Sequence, residues 1–279
     1  MSKGRRSQKT WGVVSNCWKL QLDAGESLEQ LIDQARASGF RAVELRQGAL
    51  GDFDSFLDHY SFAPDSFSRL AERFSDLALN LAVSLPIFGP VSIDANDAFQ
   101  RALKASIALS GGQAPHLRLV DTTTRTPRLD DEVIQRSAIS LATMTRQLID
   151  HGGDLAVEHA YQDWIVFESV FRQARRLLGN DTHRLRCCFD PCNLLLTEPV
   201  DQVHEIVKAI RPEDVSMIHL KQRRQGMILS EVGQGDLDWG QLLATLETNQ
   251  HAGPWLFEIA PSRHVWECLE RSIQYLEME

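Results

Sequence analysis

Glu158, Asp190, His219 and Glu258 each close a short apolar run in the second half of the chain, in LAVE, LRCCFD, VSMIH and PWLFE. They are spaced by 32, 29 and 39 residues, about one strand plus one helix each. Carboxylates are rarely buried unless they are paired or bound to metal. Three carboxylates and one imidazole brought to one point form the donor set of a divalent cation such as Mn²⁺, Mg²⁺, Co²⁺ or Zn²⁺. A cation there polarises a carbonyl and makes the adjacent C–H more acidic. Glu158 and Glu258, flanking such a centre, could then remove a proton and return it.

Positioning these residues requires strands whose ends meet. Strand-like and helix-like segments alternate along the chain. Strands are expected at 11–18, 41–46, 79–86, 116–121, 154–160, 184–191, 215–222 and 253–261. Helices are expected at 27–39, 66–78, 94–111, 129–152, 165–179, 200–211, 238–249 and 264–278. The first helix has Ser27 as its cap and Gly39 as its stop. A long excursion runs through 47–65, and a long loop follows residue 222. Eight strand–helix units predict a parallel sheet with helices outside, closed as a single (β/α)₈ TIM barrel over 11–279, with residues 1–10 as a flexible N-terminal tail. In that fold the C-terminal strand ends converge on one mouth.

Composition narrows the function. The chain has 279 residues and a net charge of −9, which disfavours binding to a nucleic-acid backbone. Five cysteines, with no CxxC pair, fit a reduced cytoplasmic chain better than a disulfide framework or a zinc ribbon. The basic start MSKGRRSQK is followed by too short an apolar stretch for a signal peptide, and no run approaches the length of a membrane span. Neither nucleic acid nor membrane is expected as a partner; a homo-oligomer stays open.

The barrel and the Glu…Asp…His…Glu series resemble the xylose isomerase-like superfamily of sugar phosphate isomerases and epimerases. It includes sugar 3-epimerases, hydroxypyruvate isomerase, inosose isomerases and dehydratases, and endonuclease IV. The resemblance runs from about residue 11 to 278. It is most specific in FDPCN (189–193), IHLKQ (218–222) and GQGDLDW (233–239). It implies one divalent ion held by Glu158, Asp190, His219 and Glu258, with Glu158 and Glu258 also catalytic. It further implies isomerisation or epimerisation of a small keto-sugar, keto-inositol or sugar acid through an enediolate. Two departures open the alternative of a lyase, either a dehydratase or a 3-oxo-acid decarboxylase. Asn193 stands where the epimerases carry His, and the segment Glu158-His159-Ala160-Tyr161-Gln162-Asp163 alters the spacing of the ENHxD pattern. An abasic-site endonuclease would need a histidine-rich three-metal cluster, yet the third strand ends VSLP and the second offers Glu44. A non-catalytic sugar-binding barrel would not need four intact ligands.

Around this set, Lys221 shares the face of His219 by strand alternation and could steady an enolate or carboxylate oxygen, or extend into solvent. Arg223 and Arg224 lie farther out, where one could reach an anionic substrate group. Asn193 is a candidate substrate contact. Glu44 and Arg46 end the second strand, as substrate contacts or as members of an ion pair; Asp121 and Thr122 are similar. His159 is turned away from Glu158 by alternation, toward the rim or the gap between barrel and helices. Trp18 and Trp239 are apolar walls or core, and Cys188 and Cys192 are packing residues.

Overall fold

Eight parallel strands close into a barrel in the computed structural model, which describes residues 9–55, 64–88, 93–123, 125, 130–251 and 253–278. The first seven are β1 (Trp11–Val14), β2 (Ala42–Arg46), β3 (Ala78–Ser84), β4 (His116–Val120), β5 (Asp154–Glu158), β6 (Leu185–Phe189) and β7 (Val215–Leu220). A hairpin of β8 (Arg223–Arg224) and β9 (Met227–Ile228) follows, and β10 (Trp255–Phe257) closes the barrel between β7 and β1. The seam is tight. A methyl group on Gly12 would meet Leu256 Cδ2 at 2.2 Å, so Gly12→Ala would overpack the interior at about 1–3 kcal/mol.

Strand alternation divides the side chains into two cores. Leu117, Leu119, Leu155, Val157, Ile218, Leu220, Trp255 and Phe257 point outward into the main core beneath the helices. Ala156, Cys188, Met217 and Leu256 point inward and form, with Val14 and Ala42, a separate apolar cluster. Those four lie two residues before Glu158, Asp190, His219 and Glu258. The next inward-facing position, on β5 and β7 or one residue past the end of β6 and β10, is therefore the one that carries the polar group at the mouth.

The helix Leu28–Ala37 begins at a capping box in which Ser27 Oγ accepts from the Gln30 amide and Gln30 Oε1 accepts from the Ser27 amide. Asp130 caps the helix Asp131–Ile149. Two expectations change. The first strand stops at Val14 instead of reaching Trp18, and Ser15–Trp18 forms a 3₁₀ turn leading into a short helix, Lys19–Asp23. The polar pair Ser15-Asn16 breaks the alternation there, and Ser15 Oγ instead accepts the Arg46 amide at 2.9 Å. The long loop after residue 222 contains the β8–β9 hairpin. Residues 1–8 of the expected tail and 56–63 of the expected excursion lie outside the described residues. Among the described residues no disulfide forms, and no helix is long and apolar enough to cross a membrane.

Candidate metal centre

Glu158, Asp190, His219 and Glu258 converge at the mouth, each offering one ligand atom within 4.8 Å of the others. His219 Nδ1 lies 3.2 Å from Glu258 Oε2, 3.3 Å from Glu158 Oε1 and 4.0 Å from Asp190 Oδ2. Asp190 Oδ1 is already used, accepting the amides of Cys192 and Asn193 at the start of the short helix Pro191–Leu194, and this leaves Oδ2 for the cluster. Asp190 Oδ2, Glu258 Oε2 and His219 Nδ1 are buried and have no hydrogen-bond partner. Each unsatisfied buried polar atom costs about 1–3 kcal/mol. Three such atoms facing one point fit a divalent ion, which would satisfy all of them.

Lys221 is the other cation near these oxygens. Its ammonium is 2.8 Å from Asp190 Oδ2 and 2.6 Å from Glu258 Oε2. That is ion-pair distance without the alignment of a hydrogen bond, which reconciles the short approach with the lack of hydrogen-bond partners for both oxygens. Burial disfavours the ammonium, but Asp190 and Glu258 together hold the Lys221 pKa well above its usual value.

Beneath the cluster lies a buried polar network. On the far side of the His219 ring, Nε2 is 3.3 Å from Glu44 Oε1. Glu44 accepts from Arg118 Nε at 3.1 Å and, through its other oxygen, from Asn80 Nδ2 at 2.7 Å. Arg118, wholly buried, also donates from Nη1 to Glu158 Oε2. Burial pushes the Glu44 carboxyl up, but Arg118 and His219 outweigh it and hold the group below the usual carboxylate range. Glu158 follows the same logic with the same two partners. Burial also opposes the charged form of Glu258, and Lys221 and His219 keep it well below the ordinary value. Asp190 differs: burial leaves it raised despite Lys221.

Cys188 Sγ touches His219 Nε2 at 3.3 Å, so Glu158, Cys188 and His219 form a second geometric triad. Burial pushes the Cys188 thiol up to about 12, so it stays protonated at neutral pH, whereas a ligand must be a thiolate. The unsatisfied acceptors gather at Nδ1, on the other side of the ring. The set with three carboxylates is therefore the better metal site.

A cavity of about 250 Å³ opens above the cluster. Lys221, Asn193, Arg46 and Arg223 line it, as do Glu158 and Glu258. Asn193 Nδ2 donates to Glu158 Oε1 at 3.0 Å, and Asn193 Oδ1 accepts from Lys221 at 3.3 Å. Arg46 Nε lies 3.7 Å from Glu258 Oε1.

Two expected substrate contacts do not line this cavity. Glu44 lies deeper, in the network under His219. His159 points out of the barrel: its Nε2 meets the Gln162 carbonyl at 2.5 Å, and its ring packs 5.4 Å from Phe167 and 5.7 Å from Trp164. Burial pulls the His159 pKa down to about 4, so this ring is neutral. Asp121 is buried and accepts the amides of Ile87 and Phe88, which shapes the loop after β3, while Thr122 lines the cavity. Trp18 and Trp239 are core, and Trp239 Nε1 donates to the Lys221 carbonyl at 2.9 Å.

Sequence reasoning passed over three contributors. Arg118 stands between Leu117 and Leu119 in HLRLV; a charge with inward parity at the centre of a buried strand was the available signal. Asn16 donates from Nδ2 to Glu258 Oε1 at 3.0 Å, and is brought there by the 3₁₀ turn that ends β1. Gln222, fully buried, gathers the GQGDLDW loop by donating to the carbonyls of Gly233 and Leu237 and accepting the Leu237 amide. Gly235 packs against it so closely that a Cβ would sit 2.3 Å from Gln222 Cδ.

The family model of the xylose isomerase-like TIM barrel matches residues 32–277. No curated protein matches the sequence. Solved structures do match the fold. A crystal structure of IolI protein with a bound zinc atom superposes with a TM-score of 0.69 at 15% identity, covering 96% of this chain and 95% of that one. The probable 3-DHS dehydratase AsbF of Bacillus anthracis, involved in petrobactin synthesis, gives 0.68 at 12% identity over 97% and 99%. An L-ribulose 3-epimerase gives 0.61 at 17% identity over 98% and 87%.

Proposed function

The chain belongs to the xylose isomerase-like TIM-barrel family, and from that premise we propose that it is a divalent-metal-dependent isomerase or epimerase of a small carbohydrate hydroxyketone. The observation that carries this reading is the convergence of Glu158, Asp190, His219 and Glu258 with three of their buried atoms unsatisfied. An ion held there supplies Lewis-acid polarisation of a carbonyl. A zinc atom bound by the related IolI fold supports an ion of this kind.

The chain's own residues do the proton work. Glu158 and Glu258 are held ionised by Arg118 and by Lys221, each with His219, so both carry the charge a proton acceptor needs near neutral pH. β5 and β10 are separated in the barrel by β6 and β7, so the two carboxylates reach a substrate from different sides. Arg118 holds Glu158 Oε2, which leaves Oε1 directed at the mouth beside Asn193. Asn16 holds Glu258 Oε1, with Oε2 facing Lys221. One carboxylate takes the proton next to the carbonyl, and the other returns one: to the opposite face of the same carbon for epimerisation, or to the neighbouring carbon for isomerisation. The Lys221 ammonium is available to the oxyanion that develops in between.

The test is to incubate the metal-loaded protein in D₂O with keto-sugars, keto-inositols and 3-oxo sugar acids. Deuterium should appear at the carbon next to the carbonyl of a turned-over compound. Turnover without such exchange would overturn the isomerase reading.

A second reading, a dehydratase, is favoured by one observation. Where the epimerase pattern has a histidine, Asn193 instead links Glu158 to Lys221. An ammonium so placed can protonate a departing β-hydroxyl after Glu158 removes the α-proton. The expected product would then lack one molecule of water.

A further inference from the structure

The cations of the mouth differ in what they are committed to. Lys221 faces Asp190 and Glu258, and Arg46 faces Glu258. Arg223 lines the same cavity, yet among the described residues no carboxylate lies within ion-pair distance of it. Its Nε is buried and has no hydrogen-bond partner. The neighbouring Arg224 points elsewhere, donating to the Gln234 carbonyl. A buried guanidinium nitrogen without an acceptor is costly unless a ligand supplies one.

The position of Arg223 is fixed by the backbone. Its amide donates to Gln222 Oε1 at 2.9 Å, its carbonyl accepts the Asp236 amide at 2.7 Å, and it pairs with Ile228 across the hairpin. The side chain takes no part in those bonds, and among the described residues it has no ion pair to account for its orientation, which leaves Nε an unsatisfied donor.

Charge points the same way. The three carboxylates of the cluster are matched by Lys221, Arg46 and Arg223, so a divalent ion leaves the mouth two positive charges in excess, with His219 neutral. A neutral sugar would not offset this excess, whereas a substrate carrying its own negative charge would. The planar fork of Arg matches a carboxylate bidentately. A cavity of about 250 Å³ suits one small molecule with its hydroxyketone at the four-residue cluster and its acid group at the rim.

We propose that the substrate is a small sugar acid whose carboxylate is bound by Arg223, at the end of the molecule away from the reacting hydroxyketone. This rests on the hydroxyketone reading above and narrows its substrate class.

The test compares three ligands that share one carbon skeleton and ketone and differ at the far terminus: D-fructose, D-fructuronate and D-fructose 6-phosphate. Binding to the Mn²⁺-loaded protein is measured by calorimetry, with metal content determined for every sample. D-Fructuronate should bind at least about tenfold more tightly than D-fructose, the scale of one charge-assisted interaction. Arg223→Gln should bring the two affinities together at unchanged metal content, while Arg224→Gln keeps them apart. Equal affinities on the wild type would overturn the proposal, and so would equal losses in the two variants, which would indicate bulk charge alone. Tighter binding of D-fructose 6-phosphate than of D-fructuronate would overturn the carboxylate in favour of a phosphate. The deuterium-exchange experiment is independent of these results. Fructuronate preference without exchange would remove the isomerase reading and leave the acid site, and exchange on neutral sugars without preference would do the reverse.

Discussion

His219 Nε2 lies 3.3 Å from Glu44 Oε1, on the side of the ring opposite the cluster that surrounds Nδ1. A proton on Nε2, between Glu44 Oε1 and the Cys188 sulfur, leaves the Nδ1 lone pair free for a cation and orients the ring. Glu44 is thus a positioning residue. Glu44→Gln keeps an acceptor for Arg118 but removes the charge that fixes the tautomer. Divalent-metal affinity should fall by about 10–100-fold, while circular dichroism stays that of the wild type. Unchanged metal affinity in a folded Glu44→Gln protein would refute the role.

Asp190→Asn removes a charged ligand from the same point. Metal content after dialysis against limiting Mn²⁺ should drop well below wild type, and turnover with it. The Asn side chain can still accept the Cys192 and Asn193 amides, so the short helix Pro191–Leu194 should persist. Equal metal content in the two proteins would contradict the assignment.

Metal binding should depend on pH in a defined direction. Burial opposes a charge on His219, but the Glu158 carboxylate beside the ring outweighs it and raises its pKa well above the ordinary histidine value. The metal-free ring therefore holds a second proton at neutral pH, and a ligand nitrogen must give that proton up. Apparent affinity should rise with pH from the acid side and level off only above the raised pKa. Titration in two buffers of different ionisation enthalpy should report about one proton released per ion near neutrality. An affinity flat between pH 6 and 8, roughly the ordinary histidine range, would refute the scheme.

Glu158→Gln and Glu258→Gln keep size while removing the proton-accepting charge. With metal content verified, each should lower kcat by roughly 10²–10⁴ and change KM less. A fully metallated Glu258→Gln enzyme with wild-type turnover would take Glu258 out of the mechanism and favour chemistry with a single base.

Arg118 is wholly buried between Glu44 and Glu158. Arg118→Met leaves two carboxylates facing each other without their cation, and breaking a buried pair in this way costs about 3–5 kcal/mol. Urea denaturation should show that loss. The double variant Arg118→Met/Glu44→Gln should recover part of it, because one of the stranded charges is gone. Additive losses would show that the network is not coupled.

The barrel and the four mouth positions are legible in the linear chain. Both are local properties: alternation sends every second side chain of a strand inward, and Glu158 and His219 each follow an inward apolar residue by two positions, as Asp190 and Glu258 do just past the ends of β6 and β10. The same parity put Lys221 beside His219 and turned His159 out of the barrel. Parity cannot tell how far into the barrel an inward residue lies, or which strand it faces. Those follow from closure and stagger around the ring. Arg118 meets Glu44 across 74 residues of chain and Glu158 across 40. Glu44 sits beneath His219 and not in the cavity, a depth that the register around the closed barrel sets and that parity within β2 does not. β1 ends earlier than its alternation predicts because Ser15 and Asn16 leave the strand to satisfy partners on β2 and just after β10, at Arg46 and Glu258. The absence of an ion-pair partner for Arg223 could likewise emerge only from the tertiary structure, since a side chain's want of a partner depends on every element folded around it.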